Sequence, residues 1–94
     1  MPAFVYLLTN QKNGTLYLGS TGKSLAQRLT EHRSGQGSEF TAKWHLYQLV
    51  WFQEFPDIIS AREQEFRMKT WKRAWKIAAI EKLNPQWQDL SALL

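Results

Sequence analysis

Arg28 and His32 are four residues apart, so on a helix their side chains share one face and can converge on a single phosphate. The guanidinium would supply a planar fork of donors, and the imidazole a donor or proton acceptor. A solvated face of an amphipathic helix also carries such pairs, so spacing alone leaves both readings open. Tyr6 and Tyr17 flank one predicted hairpin, and pairing of the two strands can bring both phenols onto one sheet face. A phenol titrates near pH 10 and serves as a base only with positive charge nearby, which Arg28 can supply; cross-strand packing needs no such chemistry. Glu63 is the remaining acid of interest. Helical counting puts Ile59, Glu63 and Phe66 on one face, read here as the inner one, so Glu63 is expected to be partly shielded. A shielded carboxylate needs a cation or a basic neighbour, and a metal ion and a structural ion pair both qualify.

The elements that must position these groups are visible in the pattern. Phe4 to Leu8 reads as a strand, residues 9–14 as a turn built on Asn13-Gly14, and Thr15 to Gly19 as an antiparallel partner strand. Ser24 caps a helix with Leu25 and Leu29 on its apolar side, ended by Ser34-Gly35. Residues 36–42 read as a loop, and Leu46 to Phe52 as a third strand, central or well covered. Asp57 caps a helical region that continues or restarts around Trp71 and Trp75, both read as core aromatics, and Asn84-Pro85 closes it. Gln86 to Leu94 is a packed tail. The expected fold is α/β (α+β): one domain over residues 1–94, with a small three-stranded antiparallel sheet flanked by helices in β-β-α-β-α-α order.

Composition narrows the function. With 44% hydrophobic residues, 21% charged and no cysteine, the chain can build a core but cannot use disulfides, thiol nucleophiles or cysteine-ligated metals. It contains neither a long apolar run nor a basic and apolar leader, so a cytoplasmic location is expected. The net charge of +4 resides wholly between Arg62 and Lys82, where seven basic residues face three acidic ones. Such a surface suits a polyanion, although a solvated helix face would look alike.

In order and spacing, a set of short motifs resembles the GIY-YIG nuclease domains, specifically their small stand-alone bacterial group, over nearly the whole chain. Phe4-Val5-Tyr6 stands for the first motif, with Phe-Val for Gly-Ile, and Tyr17-Leu18-Gly19 for the second. Ser20-Thr21, Leu25, Arg28-Leu29, Glu31-His32-Arg33 and Ala61-Arg62-Glu63 follow. The segments Trp71 to Lys76 and Ile80 to Leu90 resemble the closing block.

The resemblance implies a metal-dependent endonuclease that hydrolyses phosphodiester bonds. Tyr6 would activate water, Tyr17 position the phosphate and Arg28 hold it, with His32 matching a histidine of some members. Glu63 would be the sole carboxylate ligand of one Mg²⁺ or Mn²⁺, its shell completed by substrate oxygens, and Asn84 would support the site. Gly19 would let the substrate backbone approach. Lys69, Lys72, Arg73 and Lys76 would contact phosphates of a nucleic acid, with DNA the expected polymer. A non-catalytic nucleic-acid-binding module on the 62–82 surface and a protein-interaction domain using exposed tryptophans are the alternatives, and monomer and homodimer are both open.

Overall fold

The computed structural model describes residues 1–94. Strands β1 (Ala3–Thr9), β2 (Leu16–Thr21) and β3 (Gln48–Phe55) form one antiparallel sheet in the order β2-β1-β3. Helix α1 (Leu25–Arg33) and a short α2 (Glu39–Trp44) lie between β2 and β3, and α3 (Ile58–Lys69), α4 (Arg73–Leu83) and a 3₁₀ turn (Leu90–Leu93) complete the chain. This is the expected β-β-α-β-α-α order with one helix added.

β1 takes the centre because its run is apolar on both faces, as a strand covered on both sides must be. Ala3, Val5 and Leu7 join Val50, Ala61, Met68, Ile80 and Trp87 in one core cluster, which holds α3 and α4. Tyr6 and Leu8 point the other way and pack with Leu25, Leu29, Leu46 and Leu49 beneath α1. β3 is an edge strand, not a central one, yet Leu49, Val50 and Trp51 are buried because helix and tail cover it. Leu7 pairs with Trp51 and Leu8 with Leu49, so Val50 is the extra residue of a bulge.

Local chemistry sets most boundaries. In the β1–β2 turn Asn13, at φ 58°, takes the left-handed conformation, and the Asn10 side chain accepts from Thr15 N at 3.2 Å. Ser24 accepts from Gln27 N to open α1, and Gly35, at φ 84°, follows its end. Residues 36–42, expected to be loop, contain the start of α2: Ser38 accepts from Thr41 N at 3.1 Å, and His45 ends the helix in the left-handed region. Asp57 caps α3 through Ser60 N at 2.7 Å. The two tryptophans part company: Trp71 packs against the core, whereas Trp75 is exposed with the Lys72 ammonium over its ring.

Asn84 locks the C-terminal layer. Its Nδ2 donates to the carbonyls of Val50 at 3.2 Å and Gln88 at 2.7 Å, and its Oδ1 accepts from Gln88 N at 3.0 Å. Replacing it with Ala strands the buried Val50 carbonyl, at about 1–3 kcal/mol, and loses two part-buried bonds to Gln88, each worth about 0.5–1.5 kcal/mol. Asn84→Ala is therefore expected to lower stability by about 3 kcal/mol, read as a Tm drop of roughly 10 °C or more in thermal denaturation; an unchanged Tm would remove this residue from the structural frame.

Candidate active site

Tyr6 lies opposite Gly19, and Leu8 opposite Tyr17. Paired residues share a face and so do alternate residues of one strand, so both phenols project toward α1 as diagonal neighbours, with ring centroids 6.4 Å apart. Gly19 makes room for them. A Cβ there would stand 2.7 Å from the Tyr6 hydroxyl and 2.9 Å from Tyr17 Cε2. The tyrosines thus set a structural demand for glycine at this position.

α1 brings the other two groups onto this face. Arg28 Nε donates to the Tyr6 hydroxyl at 3.3 Å, and His32 Nε2 lies 2.9 Å from the same oxygen. The His32 ring meets both phenols edge-on, at 5.8 Å and 5.5 Å between centroids. His32 is fully buried, and its Nδ1 is 3.0 Å from Thr41 Oγ1. Gly37 passes so close to this ring that a Cβ would stand 2.2 Å from Nδ1.

Donor accounting orients the chain of bonds. Thr41 Oγ1 donates its one proton to the Ser38 carbonyl at 3.0 Å, so Nδ1 of His32 is the donor in the Thr41 bond. Nε2 then carries a lone pair and accepts from the Tyr6 hydroxyl, whose oxygen also receives Arg28 Nε–H. Burial pushes the Tyr6 phenol up to about 12, against the pull of the Arg28 bond, with Tyr17 and Glu65 adding to the rise. Burial, reinforced by the Arg28 charge, pushes His32 down to about 4. Both are neutral at pH 7. Arg28 is further held by Glu31 at 2.8 Å; Glu31 also takes Lys23, and these two partners hold its carboxyl below the usual range.

The acid that faces this cluster is Glu65, not Glu63. Glu65 accepts from the hydroxyl of Ser20 on β2, pairs with Lys69 at 3.0 Å, has a side chain only 17% exposed, and its charge reaches the Tyr6 phenol. Glu63 is 63% exposed, has only Arg67 at 4.0 Å, and lines a groove with Ile59, Arg62 and Phe66. The expected grouping of Ile59, Glu63 and Phe66 on one face holds, but that face is the outer one. The stripe against the sheet runs through Ala61 and Met68, both fully buried, and Glu65 is four residues after the first and three before the second. A small residue marks where a helix comes closest to a sheet, and counting from Ala61 would have picked out Glu65. Ser38, three before Thr41 and able to cap a helix, was the corresponding signal for the His32 support.

Of the other expected site residues, Asn84 contacts β3 and the tail and none of the cluster. Arg73 donates to the Asn13 and Gly14 carbonyls and pins the hairpin turn, Lys69 is taken by Glu65, and Lys72 lies over Trp75. Lys76 is half-buried on α4. Nowhere do three His, Asp or Glu side chains converge in a cluster able to hold a metal ion by themselves. No helix is long and apolar enough to cross a membrane.

Residues 2–78 match the GIY-YIG catalytic domain family. The chain is 37% identical over 72 residues to a UPF0213 protein of Bacillus pumilus, covering 77% of this chain and 72% of that one. It is 31% identical over 77 residues to a UPF0213 protein of Staphylococcus saprophyticus, covering 82% and 92%. The solution structure of a UPF0213 protein from Bacillus halodurans superposes with a TM-score of 0.57 at 27% identity, over 99% of this chain and 97% of that one. With the two tyrosines, the arginine and the histidine gathered on one sheet face, and the match running from the first strand into α4, the chain belongs to the GIY-YIG family, whose domain is a nuclease fold.

Proposed function

We propose that this chain is a divalent-metal-dependent endonuclease that hydrolyses phosphodiester bonds in DNA, with Tyr6, Tyr17, Arg28, His32 and Glu65 as its working groups. The observation that carries this reading is the Tyr6 hydroxyl, bonded at once to a cationic guanidinium and to the free lone pair of a buried neutral imidazole. A phenol so placed accepts a hydrogen bond from an attacking water on its oxygen and orients it toward the phosphate, its own proton held on the His32 Nε2 lone pair and its oxygen polarised by Arg28. Arg28, released from Glu31 by a stronger anion, turns its remaining donors to the phosphate, beside Tyr17. Thr41 keeps the His32 proton on Nδ1 and is a positioning residue.

The donor set fits a hard divalent cation of the Mg²⁺ or Mn²⁺ kind only in part, through the Glu65 carboxylate, with substrate oxygens and water supplying the rest. Such an ion would neutralise charge developing on the phosphate. Lys69 must leave Glu65 for that to happen and is then free to meet the substrate backbone. Glu63, exposed on the outer face of α3, has no part in this reading.

The test is cleavage of linear and branched DNA with Mn²⁺ or Mg²⁺. Glu65→Gln is expected to lower the rate by about 10²-fold or more with affinity nearly unchanged, and Glu63→Gln to cut like wild type. Cleavage lost in Glu63→Gln but kept in Glu65→Gln would reverse the assignment, and DNA binding without cleavage by wild type would leave a binding module.

His32 also links stability to acid. It titrates near 6.5 unfolded but near 4 folded, so between these values the unfolded chain binds more protons and stability falls as pH falls. The expected loss is on the order of 1 kcal/mol per pH unit, starting below about pH 6.5 and saturating below about pH 4. Denaturant melts of wild type and His32→Gln across that window check it, since the variant should lack this component.

A further inference from the structure

Helix α3 carries large apolar side chains on the side the sheet does not use. Ile59 is 68% and Phe66 74% exposed, and with Arg62, Glu63 and Arg67 they line a shallow groove. At 100° per residue these five fall within an arc of about 140°, opposite the buried Ala61 and Met68. A solvated helix face normally presents charge there; two neighbouring exposed apolar groups, framed by charges, offer a surface on which another molecule can pack.

The order of the groups says which molecule. Ile59 and Phe66 stand equally far on either side of the Arg62–Glu63 peptide bond. If two copies of α3 cross antiparallel about a twofold axis through that bond, Ile59 of one meets Phe66 of the other and Arg62 meets Glu63, each contact occurring twice. The charges are available, since Arg62 has no ion pair and Glu63 has only the loose Arg67 contact at 4.0 Å. Alternating signs along the groove are a poor match for a polyanion and a self-complementary match for a second copy.

We propose that the outer face of α3 is an isologous interface through which two copies of this chain associate. The inference stands apart from the nuclease reading, because it uses none of the residues of the active-site cluster. Glu65 lies about 120° around the helix from Ile59 and about 60° beyond Arg62 at the edge of the patch, outside the proposed arc of contact. One helix face is smaller than the roughly 1,200 Å² of lasting interfaces, so the dimer is weak and concentration-dependent.

Sedimentation velocity of the full chain, over a dilution series of about a hundredfold reaching the millimolar range, tests this. Wild type is expected to shift from monomer to dimer. Arg62→Glu and Glu63→Arg each set like charges opposite one another twice and should raise the dissociation constant about tenfold or more, whereas the double variant restores the pairs in reverse and should regain the dimer. Phe66→Asp should abolish association. Far-UV circular dichroism melts should match wild type for all four, because the side chains are exposed. A wild type monomeric throughout, a dimer indifferent to these changes, or a double swap that fails to restore association would overturn the proposal. So would Phe66→Asp weakening DNA binding while leaving the mass distribution unchanged, since that outcome gives the face to DNA.

Discussion

The site depends on a string of hydrogen bonds inside the smaller of the two cores: Tyr6 to His32, and His32 to Thr41. Every member is buried, so each bond is made in a medium where leaving it unmade would cost more than it would in water. That penalty gives the string its direction. Arg28 can only donate to the phenol, so the Tyr6 proton goes to His32 Nε2, and Nδ1 then carries the ring proton toward Thr41, whose own proton goes to the Ser38 carbonyl. α2 forms where a loop was expected because Ser38 caps it through Thr41 N, and the left-handed His45 turns the chain back into β3. No buried side-chain polar atom lacks a partner, so the string adds polar groups to a small core without orphaning any.

α3 meets three demands with one helix. Its inner stripe, Ala61 and Met68, closes the larger core over β1 and β2. Its flank carries Glu65 to the rim of β2, where Ser20 and Lys69 hold the carboxylate ready but not bare. Its outer face carries apolar groups that contribute nothing to this chain's own core. A helix with apolar residues on two sides has a weak amphipathic signature, and this is why periodicity took the outer face for the inner one.

Much of the frame was legible because local chemistry determined it. The Ser24 and Asp57 caps, the stop at Asn84-Pro85 and the pairing of the first two strands follow from residue types with few other uses. Placing Tyr6 and Tyr17 on one face needed only the period of two and the hairpin. What was not legible depended on tertiary competition. β3 lies at an edge because β1, apolar on both faces, has the stronger claim to the centre; of the two tryptophans Trp71 packs against the core beside Ile80, whereas Trp75 is left outside under Lys72. Glu63 and Glu65 differ by two positions, and in a helix that is the difference between opposite sides.

The charge distribution follows the same logic. The basic excess of residues 62–82 is one number in the sequence, but the fold divides it by task. Arg73 is consumed in holding the hairpin turn through two carbonyls, and that turn connects the strands bearing the two tyrosines. Lys69 neutralises Glu65, beside the Ser20 hydroxyl that the same carboxylate accepts from. Arg28 is held by Glu31 in the same fashion. Each cation near the cluster is therefore paired with a partly buried carboxylate, Glu31 19% and Glu65 17% exposed, so neither acid stands without a positive partner. In the proposed nuclease reading, a phosphate at this face competes with Glu31 and Glu65 for the same donors, so the pairs that order the groups are the ones a substrate would exchange.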